Sequence, residues 1–311
     1  MDMRYRLLLQ QEADGLLLPE QAVVAEAAKF SNWYESASQF LYRTGGKTGA
    51  KELDKYILSP TTLTGISEVG TAPAEAGIED IPIGSIEFVE TFLSSRYGID
   101  HLTPIFIPPQ IQPKRKTSIV TGSAGVQAFM RQNGLDMVFV KSAARVKGDT
   151  CSIIQMEDID LLGLKSNEPY FVSEPVDIVS EWRIFVKRGR VVGVRNYGGD
   201  EWVVPDRTTV LSMVNAYHVV SPFSYTLDVA AIQNSNGTVY TDIVEVHNFI
   251  SCGLYGFDTA NDLLTMLIDG IHWEIRQHKH YKQPSKTAEK ATGRNFRQDA
   301  FVSCYRYYRM V

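Results

Sequence analysis

The sequence predicts an α+β fold of several lobes rather than a doubly wound parallel sheet. Helical and strand-like segments alternate along the chain, but the C-terminal strand-like segments are joined by short turns at Arg188-Gly189 and Asn236-Gly237. Short turns connect antiparallel neighbours, whereas parallel strands need long crossovers. With 311 residues, 44% of them hydrophobic and 22% charged, the chain is long enough for two or three packed lobes.

The N-terminal third predicts one strand, one helix and then loops. Residues 5–10 have the pattern of a short strand, and helical apolar spacing runs over residues 19–42. Residues 44–80 are rich in Gly, Thr, Ser and Ala, which favours loops with one short helix. Regular structure is expected to resume over residues 83–93. Four prolines in residues 104–113 exclude a regular helix and predict an extended connection between lobes.

The rest of the chain predicts further helices, strands and two hairpins. In order, these are a helix (125–132), a strand (137–141), an extended run (169–173), a first hairpin (181–187 with 190–197), a helix (207–218), a second hairpin (225–232 with 238–247) and a last helix reaching about residue 276. A basic tail follows.

Composition argues against several classes of function. The formal net charge of −5 and the pI near 5.7 argue against a dedicated nucleic-acid site, since such proteins are usually basic. No signal peptide or membrane-spanning stretch is apparent, so a cytoplasmic protein without membrane contact is expected. The three cysteines are far apart and have no CxxC spacing, which argues against a disulfide framework or a zinc site.

The second hairpin predicts a metal site. A two-residue turn at Asn236-Gly237 places Asp228 directly across from Glu245, and like charges opposite each other in a sheet repel unless a cation lies between them. His247 falls on the same face as Glu245, whereas Asp242 is expected on the other face, opposite Ala231. The alternative is a solvated acidic face paired with lysines. The apolar residues around both acids favour burial and therefore the metal site.

Two upstream segments could hold a nucleotide. The extended run ending in Glu174, Pro175 and Val176 can present backbone groups to an adenine edge, because Pro175 prevents a helix. Lys141 ends an apolar strand and Lys147 precedes a glycine, which would suit two points along a triphosphate. Ordinary surface lysines whose stems cover apolar surface are the alternative.

Acidic and basic side chains follow on the first hairpin. Glu181 and Arg183 lie on its first strand, and Arg195 lies on its second strand. Arginines in a cleft can hold phosphate oxygens bidentately and stabilise charge on a transferring phosphoryl group. Surface charges are the alternative for each of them taken singly.

Together these motifs resemble the ATP-grasp superfamily, in which two α+β lobes close on ATP. The resemblance covers roughly residues 81–275 and is strongest to a divergent clade often carried by bacteriophages and mobile elements. It is carried by four stretches: IPIGSIEFV (81–89), VFVK (138–141) with Lys147-Gly148, VSEPVD through EWRIFV (172–186), and LDV through VEVHNF to GLYG (227–256).

The resemblance implies a role for each candidate residue. It implies that ATP phosphates contact Lys141 and Lys147, that adenine lies against Glu174, Pro175 and Val176, that Glu181 holds the ribose hydroxyls, that Arg183 and Arg195 act near the γ-phosphate and acyl-phosphate, and that Asp228 and Glu245 hold Mg²⁺.

The sequence departs from the family pattern at three places. His247 occupies the position where the family usually has a third metal ligand, asparagine; because imidazole is softer than the ligands that magnesium prefers, Mn²⁺ use or a direct role of His247 in catalysis comes into view. Asn248 could replace it only if a bulge turned the strand over. Ser142 follows Lys141 where the family usually has proline. The segment 44–80 is long and suggests a substrate loop.

The resemblance implies an ATP- and Mg²⁺-dependent ligase that joins a carboxylate, on a small molecule or a polypeptide, to an amine or thiol through an acyl-phosphate. A kinase or phosphotransferase on the same site, or a non-catalytic nucleotide-binding interaction protein, are the alternatives. The expected divisions are an N-terminal α/β pre-ATP-grasp lobe (1–104), a central subdomain (105–173), a C-terminal subdomain with the metal site (174–276) and a basic tail (277–311). The tail would be solvated or would contact an acidic partner.

Overall fold

The fold consists of three small sheets with helices packed on them. In the computed structural model the described residues are 4–29, 61–144, 146 and 151–281. The sheets have three, four and four strands and follow one another along the chain. No helix in these ranges is long and apolar enough to cross a membrane.

The N-terminal sheet is parallel, with the strand order β2-β1-β3. Its elements are β1 (Arg4–Gln10), a helix α1 over residues 19–29, β2 (Thr61–Leu63), α2 (Ile66–Thr71), β3 (Ile78–Ile83) and α3 (Ile86–Tyr97). Strand β1 is central and its Leu7, Leu8 and Leu9 are almost fully buried. A run that is apolar on both faces is typical of a parallel sheet covered on both sides.

The central sheet is antiparallel, with the order β4-β7-β5-β6. Its elements are β4 (Thr117–Thr121), α4 (Gly122–Asn133), β5 (Met137–Ser142), β6 (Cys151–Gln155), a 3-10 helix (Met156–Leu162) and β7 (Pro169–Ser173). Helix α4 packs Val126 and Met130 against Val138 and Val172, which form the core of this lobe.

The C-terminal sheet consists of two hairpins in the order β11-β10-β8-β9. Its elements are β8 (Asp177–Lys187), β9 (Arg190–Gly199), α5 (Arg207–Tyr217), β10 (Ser224–Gln233) and β11 (Val239–Asn248), followed by α6 (Ala260–Tyr281). Helix α6 shares a core with the N-terminal sheet, because Leu263, Leu264 and Ile271 belong to the same buried cluster as Leu7.

The fold class expected from the sequence is confirmed, but some elements were missed. The short edge strands β2, β4 and β6 and most of β3 were not predicted. Helix α6 runs to Tyr281 rather than ending near Arg276, so the start of the expected tail is helical. The predicted helix over 19–42 is seen through residue 29, and its remainder, like most of the 44–80 segment and residues 282–311, lies outside the described residues.

The second hairpin reaches its expected central pairing by a different route. Its turn is not a two-residue turn: Asn234 N–H bonds to the Thr238 carbonyl and Gly237 adopts φ +82°. The longer turn alone would shift the register by one residue. A β-bulge after Asp228 shifts it back, so that Asp228 pairs with Glu245 while Val229 pairs with Ile243.

The same shift overturns the expectation for Asp242. It pairs with Ala230 rather than with Ala231. Because Ala230 lies two residues from Asp228 on β10, this pairing places Asp242 on the face of Asp228 and not on the opposite face. Its buried carboxylate accepts hydrogen bonds from the backbone N–H groups of Lys114 and Arg115, at 3.0–3.1 Å. Asp242 therefore anchors the connection between lobes to the C-terminal sheet.

Candidate functional site

Four of the candidate residues form one row across the C-terminal sheet. Glu245 on β11 pairs with Asp228 on β10, Asp228 pairs with Arg183 on β8, and Arg183 pairs with Arg195 on β9. Two acids thus lie beside two bases across four neighbouring strands. Such a row of like charges in adjacent pairs is stable only because opposite charges meet at its centre.

The central pair, Arg183 and Asp228, is buried and bidentate. The Nε and Nη2 atoms of Arg183 donate to the two Asp228 oxygens at 2.8 and 2.7 Å, and its Nη1 donates to the Gly253 carbonyl at 3.0 Å. Asp228 is 1% exposed and Arg183 is 6% exposed. Burial lowers the pKa of Arg183, but the hydrogen bonds and charge of Asp228 outweigh burial and raise it above its usual value. Arg183 therefore stays charged.

Glu245 lies between two nitrogen groups from different parts of the chain. One oxygen pairs with the Lys141 ammonium at the end of β5, and the other lies 2.7 Å from Nε2 of His247. Burial raises the pKa of Glu245, but the hydrogen bond and charge of His247, followed by those of Lys141, lower it well below its usual range. Glu245 is therefore a carboxylate at neutral pH.

Asp228, Glu245 and His247 fit a divalent cation by their chemistry. One ligand atom of each lies within 4.8 Å of the others, and Nε2 of His247 is 3.9 Å from an Asp228 oxygen. A carboxylate has about four lone-pair sites, so the bonds of Asp228 to Arg183 leave acceptor capacity. Asn248 does not replace His247, because its amide donates to Glu274 at 3.2 Å.

A cavity of about 880 Å³ collects most of the candidates. The candidates that line it are Lys141, Glu174, Pro175, Val176, Glu181, Arg183, Glu245 and His247. Asp228 lies beneath its wall, bonded to Arg183. Arg195 does not line the cavity, and its guanidinium is held by the carbonyls of Gly256 and Val194 at 3.1 and 2.9 Å. Lys147 lies outside the described residues.

The expected hinge follows the last strand of the central sheet. Glu174 N–H donates to the Lys116 carbonyl at 2.9 Å, and a Glu174 carboxylate oxygen accepts from Lys116 N–H at 3.2 Å. These bonds tie residues 174–176 to the start of β4. The same cavity has apolar walls here, formed by Phe139 and Ile178 among others. An extended edge beside apolar walls can accommodate a flat heterocycle.

Glu181 is held by an aromatic neighbour at the same cavity. The Tyr197 phenol donates to a Glu181 oxygen at 3.2 Å. Burial raises the pKa of Glu181, and the negative charges of Asp228 and Glu245 raise it further, while the Tyr197 hydrogen bond lowers it. Glu181 can accept hydrogen bonds from hydroxyl groups of a ligand.

Sequence reasoning missed Arg115 and the tyrosines of the cavity. Arg115 is 8% exposed, lines the cavity, and donates through Nη2 to the Val244 carbonyl at the bulge, at 3.1 Å. The basic run from Lys114 to Lys116, directly after the prolines, could have identified it. Tyr197 and Tyr255 also line the cavity. Tyr255 lies in the GLYG stretch, but nothing local indicates that its ring meets Tyr197.

The comparison with protein families identifies the domain that contains this site. Residues 114–263 match a family model described as an ATP-grasp domain, the second family of its clade. The chain belongs to the ATP-grasp superfamily. This ATP-grasp segment runs from the start of the central sheet to the first turn of α6, and it contains every candidate residue named above. No curated protein matches the chain.

Solved structures of other ATP-grasp proteins are similar at low identity. The ATP-grasp ligase PsnB complexed with a minimal precursor is 18% identical, with 51% of this chain and 55% of that chain covered and a TM-score of 0.36. D-cycloserine synthetase DcsG is 12% identical (84% and 98% covered, TM-score 0.49). A RimK domain ATP-grasp protein from Sphaerobacter thermophilus is 15% identical (85% and 99% covered, TM-score 0.48).

Proposed function

We propose that this ATP-grasp protein is an ATP- and Mg²⁺-dependent ligase that joins a carboxylate to an amine or a thiol. The observation that carries the proposal is the convergence of Asp228, Glu245 and His247, from the hairpin, with Lys141, from the central sheet, at one cavity. A metal-binding acidic pair beside a lysine is the arrangement that phosphoryl transfer needs, since positioning and charge stabilisation supply most of its acceleration.

The nucleotide half of the cavity has a partner for each part of ATP. Residues 174–176 offer backbone groups to the adenine edge, and Glu181 offers acceptors to the ribose hydroxyls. Lys141 lies next to Glu245 and would hold phosphate oxygens, with Lys147 as a second lysine. Asp228, Glu245 and His247 would hold Mg²⁺ or Mn²⁺, which neutralises phosphate charge and orients the γ-phosphate.

The chemistry proceeds in two balanced steps. The γ-phosphoryl group passes from ATP to a substrate carboxylate oxygen, which gives ADP and an acyl-phosphate. An amine nitrogen then attacks the acyl carbon, a C–N bond forms, the C–O bond to phosphate breaks, and phosphate and one proton leave. Arg183, held on Asp228, and Arg195, at the next position of the row, supply positive charge near the transferring group. The substrate is a carboxylate on a small molecule or a polypeptide.

The test is calorimetry of a non-hydrolysable ATP analogue with and without Mg²⁺, for the wild type, Glu245→Gln and Glu201→Gln. Glu201 is an exposed acid on the loop after β9 and serves as the matched control. We expect Mg²⁺-dependent binding that Glu245→Gln weakens at least about tenfold and that Glu201→Gln leaves unchanged. No binding with any divalent cation would overturn the proposal.

The reaction itself is tested by ADP release with panels of carboxylates and amines, and by mass spectrometry of the products. An amide or thioester together with ADP supports the ligase. A stable phosphorylated product without a new C–N or C–S bond would establish the kinase alternative instead. His247→Asn separates an ordinary metal site, which keeps turnover, from a site that needs the imidazole itself.

A further inference from the structure

The loop over residues 249–257, between β11 and α6, connects three parts of the site. Ser251 Oγ donates to the Gly84 carbonyl of the N-terminal lobe at 2.9 Å. The carbonyl of Gly253 accepts from Arg183, and the carbonyl of Gly256 accepts from Arg195. Both arginines of the charged row are thus bonded to one loop, so the conformation of that loop sets their positions.

Tyr255 holds this loop in an unfavourable backbone conformation. Its φ is +48°, in the left-handed region that glycine adopts without steric cost and other residues avoid. Its side chain is 47% exposed and lines the cavity. Burial in the core therefore does not explain why a bulky residue occupies the position. Strain of this kind is typical of functional sites.

The ring of Tyr255 completes a cluster around Arg183. It stacks on the Tyr197 ring with centroids 5.1 Å apart and planes 21° from parallel. The Arg183 guanidinium carbon lies 5.1 Å from the Tyr255 centroid and 5.6 Å from the Tyr197 centroid. Gly253 leaves room for this arrangement, since a Cβ there would lie 2.8 Å from Cζ of Tyr255. Cation–π contacts of this geometry favour one orientation of the guanidinium.

We propose that Tyr255 is a positioning residue, which holds the Arg183 guanidinium and, through it, orients the Asp228 carboxylate for metal binding. The inference rests on the proposed function, since it assigns a purpose to the strained residue beside the proposed metal site. Tyr197, which donates to Glu181, extends the cluster to the acid proposed to bind the ribose. One strained side chain thereby fixes groups on both sides of the nucleotide.

The test compares Tyr255→Gly and Tyr255→Phe in the full chain. Glycine relieves the backbone strain but removes the ring, so we expect the melting temperature to stay the same or rise by about 2–4 °C. Turnover, measured as ADP release, should nevertheless fall at least about tenfold, and the Mg²⁺ concentration for half-maximal turnover should rise. Tyr255→Phe keeps the ring and should restore turnover and Mg²⁺ dependence.

Arg188→Gly is the matched control. Arg188 has nearly the same φ, +49°, but is exposed in the turn between β8 and β9 and does not line the cavity. We expect this substitution to relieve similar strain without changing turnover or Mg²⁺ dependence.

Three outcomes would overturn the inference. Wild-type turnover and Mg²⁺ dependence in Tyr255→Gly would remove the positioning role. A melting temperature that falls along with turnover would make Tyr255 a structural residue. Failure of Tyr255→Phe to restore turnover would exclude the ring contact as the cause. Failure of the proposed function is seen separately, as a wild type that binds no Mg²⁺-nucleotide, and it would remove the premise of the inference as well.

Discussion

The central and C-terminal sheets face the same cavity but contribute to it in different ways. The C-terminal sheet carries its charged residues in mid-strand, where Asp228 is fully enclosed and bonded to Arg183. The central sheet contributes Lys141 at the end of β5 and Glu174 just after β7, both partly exposed. Buried mid-strand charges depend on one another for folding, whereas groups at strand ends can serve a ligand without supporting the fold.

The largest expected effect lies in the C-terminal sheet. Asp228→Asn leaves the Arg183 guanidinium buried without a counter-charge, and breaking such a pair costs about 3–5 kcal/mol. We expect this loss in the free energy of unfolding, measured with urea, together with loss of Mg²⁺-dependent nucleotide binding. The double variant Asp228→Leu with Arg183→Met should recover stability but not binding. A change in stability below about 1 kcal/mol in Asp228→Asn would contradict the comparison.

Lys141→Met tests the central sheet. Its ion pair with Glu245 is about one-third exposed on both sides, so its removal should change the free energy of unfolding by less than about 1 kcal/mol. The affinity for the Mg²⁺-nucleotide should fall about 10- to 100-fold, because a charged hydrogen bond to phosphate is lost. Calorimetry and urea unfolding measure the two effects. Lys165→Met, which removes an exposed lysine of the same lobe, should change neither.

The smallest effect concerns Glu181, whose pKa is raised by burial above its usual value of 4.5. The folded state therefore binds a proton that the unfolded state has already released over the interval between the two pKa values. The contribution of Glu181 to stability is fully present below its unfolded pKa and is lost as pH rises through its folded pKa. Relative to the wild type, Glu181→Gln should gain stability across that interval, measured by urea midpoints from about pH 4 to 8.

A control and a contrary outcome sharpen the pH prediction. Glu201→Gln, at an exposed acid, should follow the wild-type pH dependence of stability. A stability difference between Glu181→Gln and the wild type that does not vary with pH would show that the pKa of Glu181 is not raised in the folded protein.

The sequence by itself determined both hairpins, the facing pair of Asp228 and Glu245, and the stretches that resemble ATP-grasp proteins. A hairpin pairs residues that are close in sequence, so its register follows from local turn chemistry and alternation. Even so, the central pairing was reached through two compensating shifts, a longer turn and a bulge, and Asp242 lies on the unexpected face for that reason. The roles of the candidate residues remain predictions.

Only the tertiary structure decided which distant groups meet these hairpins. Lys141 reaches Glu245 across 104 positions of sequence, and the Ser251 hydroxyl reaches the Gly84 carbonyl across 167. The sequence likewise contained no signal for the short edge strands β4 and β6, or for the contact of Tyr255 with Tyr197. Contacts of this separation depend on how whole lobes pack, and packing is set by many small terms that no local pattern records.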